Sequence, residues 1–147
     1  MDDIPKQMDT RHNPLNFGTC YAVMEPGFLN ALDQFIEQSP GQWILSPAPG
    51  TACRFHGSKT SQHYAKGRRS NAADIMLKAG DIDAEYARAK ETFCGTGLYK
   101  HWKPYPGLHV DTRQPVKGQC LTWEKTRNGA VVYKWIQTSS EASYSSF

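Results

Sequence analysis

Residues 121–135 read Leu-Thr-Trp-Glu-Lys-Thr-Arg-Asn-Gly-Ala-Val-Val-Tyr-Lys-Trp. Two runs rich in β-branched and aromatic residues flank Asn128-Gly129, a strong hairpin signal. The hairpin makes at least part of the sheet antiparallel. Upstream, Phe28, Leu29, Leu32, Phe35 and Ile36 recur at helical spacing behind Pro26, which suits a first helical turn. That helix should end near Ser39-Pro40-Gly41, before a short strand at 43–46. Residues 47–71 read as one long loop, a length that is uncommon and often functional. Ala72-Ala73-Asp74-Ile75-Met76-Leu77 reads as a strand. Asp81 or Asp83 can cap a helix at about 82–93. Gly95 and Gly97 read as breaks, and Leu98-Tyr99 and residues 108–111 as strand pieces. Helix and strand are mixed and a hairpin closes the order, so the expected class is α+β.

The 147 residues fit one ordinary domain. We expect it to occupy 1–138, with an irregular arm at 1–16 and a flexible tail at 139–147. With 17 Lys and Arg against 14 Asp and Glu, the chain is only mildly basic. A dedicated nucleic-acid binder would carry a denser basic stripe. No run approaches the length of a membrane helix, and the first residues lack the pattern of a secretory signal. Synthesis in the cytoplasm is therefore expected. Cys20, Cys53, Cys94 and Cys120 are too scattered for a metal knuckle and read as free thiols, with some pairing after release from a reducing compartment as the alternative.

Charge is unevenly spread. No acid lies between Glu37 and Asp74, while Arg54, Lys59, Lys66, Arg68 and Arg69 do. Such a stretch is either a solvated loop or a surface that meets anions. At its end lie residues with ligand chemistry. Asp74 sits among Ala, Ile and Leu, where a carboxylate is costly unless paired or metal-bound. His63 and His109 supply imidazoles. Two imidazoles and a carboxylate, with a position left for water, form a common catalytic zinc set.

Ser61-Gln62-His63, Gly67 and Ala72-Ala73-Asp74-Ile75 resemble the S-x-H-x-x-G-x-A-x-D signature of the M15 zinc peptidases. Gly95-Thr96-Gly97-Leu98-Tyr99 followed by Leu108-His109-Val110-Asp111-Thr112-Arg113 resembles the second half, in the small H-V-D-x-R branch. The resemblance covers roughly residues 20 to 124. It implies a small antiparallel sheet with helices packed on it, the hedgehog/D-Ala-D-Ala peptidase-like architecture. It also implies one zinc ion on His63, Asp74 and His109, and hydrolysis of peptidoglycan peptide bonds that involve D-amino acids. A phage or prophage lysis enzyme, monomeric and acting at the cell wall after release or in a virion, is the implied setting.

Two departures stand out. The His63–Asp74 gap is eleven positions, against seven in the usual pattern. The positions where many members carry a water-activating base hold Gly107, Pro106 and Lys103. Asp111 and His101 are the remaining candidate catalytic bases. Arg54, Ser61, Arg68 and Arg69 are candidate substrate contacts, with Trp102 and Tyr105 as cleft walls. Tyr99 reads as core, and Trp123 with Trp135 as packing within the hairpin. A non-catalytic zinc module in a virion or on the wall is the alternative.

Overall fold

Glu25 starts the first helix, α1 (Pro26–Glu37), by accepting the Phe28 N–H at 2.7 Å on its side chain. Its apolar stripe, Phe28, Leu29, Leu32, Phe35 and Ile36, is buried. The second, α2 (Ile82–Thr92), begins at Asp81, whose carboxylate accepts from the Asp83 and Ala84 amides. Acids in its first turn and Lys90 in its last complement the helix dipole. These positions come from a computed structural model of the chain, which describes residues 24–45, 62 and 69–137.

Six strands form one sheet: β1 (Gln42–Leu45), β2 (Ala72–Ala79), β3 (Gly95–Tyr99), β4 (Gly107–Asp111), β5 (Gln119–Lys125) and β6 (Val131–Gln137). The order is β1-β2-β4-β3-β5-β6. Every pairing is antiparallel except β3 with β5. Mixed helices and a mostly antiparallel sheet make this an α+β fold, as the sequence indicates. The expected hairpin forms too, with β5 and β6 joined through 126–130 and Gly129 at φ +91°.

Alternation along the strands divides the sheet into two faces. One carries Trp43, Ala73, Ile75, Leu77, Leu98, Leu108 and Val110, and packs on Phe28, Leu32, Phe35, Tyr86, Ala89 and Phe93. A buried polar link closes this layer. Glu85 accepts from Ser39 Oγ at 2.7 Å and from Arg88, while Trp43 Nε1 donates to Ser39 Oγ at 3.0 Å.

Two expectations need correction. Gly95 and Gly97 do not interrupt the chain; they are interior residues of β3. A side chain at 95 would collide with the Asp111 carboxylate, and one at 97 with the Trp123 indole. Glycine here makes room for neighbours and does not mark a turn. Nor are Cys94 and Cys120 free thiols: they form a disulfide. The parallel pairing sets Gly95 beside Leu121, so the residues just before each meet, with Cα atoms 4.6 Å apart. Joining positions 26 apart, the link is expected to contribute about 3 kcal/mol. A Cys94→Ala/Cys120→Ala variant should therefore unfold at clearly lower denaturant than the parent; an unchanged midpoint would contradict this.

Candidate metal and substrate face

The second face of the sheet carries the candidate site residues Asp74, His109 and Asp111. Register places Asp74 beside His109, His109 beside Gly97, Gly97 beside Trp123 and Trp123 beside Tyr133. One row thus crosses five strands. Because Gly97 has no side chain, Trp123 reaches across β3 and its ring lies 5.1 Å from that of His109.

His109 is buried between two carboxylates. Its Nδ1 lies 3.1 Å from Asp74 Oδ1, and its Nε2 lies 2.7 Å from Asp111 Oδ2. Burial alone would lower its pKa, but the bonds to Asp111 and Asp74 outweigh that and push it up to about 9. At neutral pH both ring nitrogens carry protons and donate. This stabilisation is fully present below the ordinary His value of 6.5 and is lost as pH rises through about 9. Metal-free protein should accordingly show a melting temperature that declines between those values. In His109→Gln the decline should flatten, and an unflattened curve would refute the assignment.

Asp111 has no exposed surface. Burial would raise its carboxyl, yet Arg113 and His109 hold it well below the usual carboxylate range. Oδ1 accepts from the Arg113 backbone N–H and Nε, and Oδ2 accepts from Arg113 Nη2 and His109 Nε2. A carboxylate has about four acceptor positions, and all are in use. With those positions filled, Asp111, the candidate base, bonds the far side of the His109 ring. A carboxylate on the far nitrogen is the usual partner of a metal-binding histidine.

Asp74 and His109 can therefore offer a carboxylate oxygen and Nδ1 to one ion once Nδ1 gives up its proton. Among the described residues no set of three His, Cys, Asp or Glu side chains stands ready around a metal position. The third expected ligand, His63, lies outside the described residues, as do Arg54, Ser61 and Arg68. Gln62, its neighbour, is placed: its carbonyl accepts from Asn71 N–H at 3.1 Å and Ser70 Oγ at 3.3 Å. Gln62 thus lies at the head of β2.

Aromatic residues frame the pair. Trp123 Nε1 donates to the Tyr99 hydroxyl at 2.8 Å, and Tyr99 stacks on Trp102 with centroids 4.4 Å apart. Burial raises the Tyr99 phenol above its ordinary value, so it stays neutral. The Arg113 guanidinium lies 5.4 Å from the Trp123 ring centre. Tyr99 is thus part of this face and not of the core. Likewise Trp123 serves the His109 row, whereas Trp135 is 47% exposed on β6. His101 is exposed in the loop before β4, and Tyr105 there is half-buried. Arg69 donates to the Met24 carbonyl at 3.3 Å. No helix among the described residues is long and apolar enough to cross a membrane. No protein-family model, curated protein or solved structure matches the chain.

Proposed function

We propose that the chain is a zinc peptidase of the M15 type, hydrolysing peptidoglycan peptide bonds that involve D-amino acids. One observation carries the reading: Asp74 and His109 face each other on adjacent strands, with Asp111 holding the far side of the imidazole. The order of His63, Asp74 and His109 in the sequence matches the family's ligand order. In this reading His63, Asp74 and His109 Nδ1 hold the zinc. When bound, zinc supplies a Lewis acid and a water of lowered pKa. Asp111 and Arg113 fix the His109 ring. Trp123 covers one side of the pair and limits solvent there. His101 accepts a proton from the attacking water at an imidazole nitrogen. Arg54, Ser61, Arg68 and Arg69 meet the anionic peptide. The Cys94–Cys120 disulfide suits work outside a reducing compartment, at a cell wall reached on lysis or from a virion.

A second reading is a zinc-binding module without hydrolysis. The saturation of Asp111 favours it, because it leaves His101 as the one candidate base from the sequence. Peptidoglycan fragments incubated with the protein, with and without a chelator, separate the two by product mass. The peptidase reading expects chelator-sensitive cleavage. Stoichiometric zinc with every fragment intact would overturn it in favour of the module.

A further inference from the structure

We infer that a recess beside the Asp74–His109 face, bounded by Lys125, Arg127 and His101, binds a carboxylate of the peptide that the face acts on. This rests on the peptidase reading and names what the substrate must carry. The recess holds about 160 Å³, and Tyr99 and Trp102 form its aromatic wall. That wall joins the metal face directly, through the hydrogen bond from Trp123 Nε1 to Tyr99.

Charge argues for an anion. Lys100 and Arg113 are matched, with Asp83 and Asp111. Lys125 and Arg127 have no carboxylate partner among the described residues. Glu124 adjoins Lys125 in sequence, but side chains of successive strand residues point to opposite faces. Two unmatched cations line one concavity, and the stacked Tyr99 and Trp102 rings wall one side of it. An anion held there is screened less than on an open surface. Arg127 also offers the planar fork that pairs with a carboxylate.

Geometry sets the reach. Tyr99 lies two residues along β3 from Gly97, the neighbour of His109, which is about 7 Å at strand rise. An extended peptide covers that in about two residues. The bound carboxylate therefore belongs to a residue one or two positions from the scissile carbonyl. It can be a chain-terminal carboxylate or an acidic side chain.

Three probes distinguish these sources: N-acetyl-D-alanyl-D-alanine, its C-terminal amide, and N-acetyl-D-alanyl-D-glutamate with an amidated terminus. Each is titrated into zinc-loaded and zinc-stripped protein while the Trp102 indole and Gly129 amide signals are followed by NMR. At least one acid should bind about ten-fold more tightly than the neutral amide, the scale of one charge-assisted bond. Which acid does so identifies the source. Lys125→Ala/Arg127→Ala, checked for an unchanged melting temperature, should abolish that preference. Equal binding of all three probes, no binding at all, or a preference that survives the double substitution would overturn the inference. The zinc-stripped arm reads the recess alone, so failure to cleave wall fragments would count against the peptidase reading and leave this result standing.

Discussion

Asp111→Asn is expected to weaken zinc binding by about 10- to 100-fold, the usual effect of losing the partner behind a ligating histidine. At saturating zinc, turnover should stay within a few-fold of the parent. The reason is positional. Asp111 is buried, and its four acceptor positions are filled by Arg113 and His109. In the proposed reading it orients Nδ1 of His109 toward Asp74 and moves no proton itself. A general base would give the opposite pattern: unaltered zinc affinity and turnover lowered by 10²- to 10⁴-fold, on the order typical of base removal. Asp111→Ala should be harsher, costing about 3–5 kcal/mol of stability, because it leaves a buried charged partner uncompensated. Zinc titration and saturated turnover on the Asn variant decide between the roles.

Gly95→Ala should be among the most damaging single-methyl changes in the protein. The new Cβ would overlap the Asp111 carboxylate, and β3 cannot retreat because it is paired with β4 on one side and β5 on the other. Either the Arg113–Asp111–His109 cluster breaks or the sheet distorts. We expect a loss of about 3 kcal/mol or more, the upper range for overpacking joined to a disturbed buried ion pair. Gly129→Ala is the control. Its added Cβ meets nothing within 4 Å, though φ is +91°. Its cost should be about 1 kcal/mol, from backbone conformation alone. Chemical denaturation of both variants checks the contrast; equal midpoints would mean that Gly95 makes room for nothing essential.

These glycines also mark where sequence reading stops. Helices α1 and α2, β2 and the terminal hairpin announce themselves through local periodicity, caps and a turn dipeptide. Asp74 is conspicuous too, as a carboxylate inside an apolar run. The need for glycine at 95 and 97 comes from side chains on β4 and β5, which no local pattern carries. Trp123 reads as hairpin packing because it lies in a hairpin. Its place in the His109 row depends on the parallel β3–β5 pairing, a contact between distant segments. The same pairing brings Cys94 to Cys120. Asp111 is visible as a face-mate of His109, two residues on, but its saturation by Arg113 requires the folded turn at 111–113. The cations Lys125 and Arg127 stand in the hairpin sequence without any sign that Tyr99 and Trp102 will wall them in.

In the proposed reading Asp74 and His109 are two ligands of one metal ion, with His63 the third. Zinc content after dialysis, measured on the parent and on His63→Ala, Asp74→Ala and His109→Ala, tests it most directly. We expect one zinc per parent chain, its uptake accompanied by proton release from His109 below about pH 9, and loss of bound zinc in each folded variant. A parent that holds no zinc, or an Asp74→Ala or His109→Ala protein that keeps a full equivalent, would contradict it.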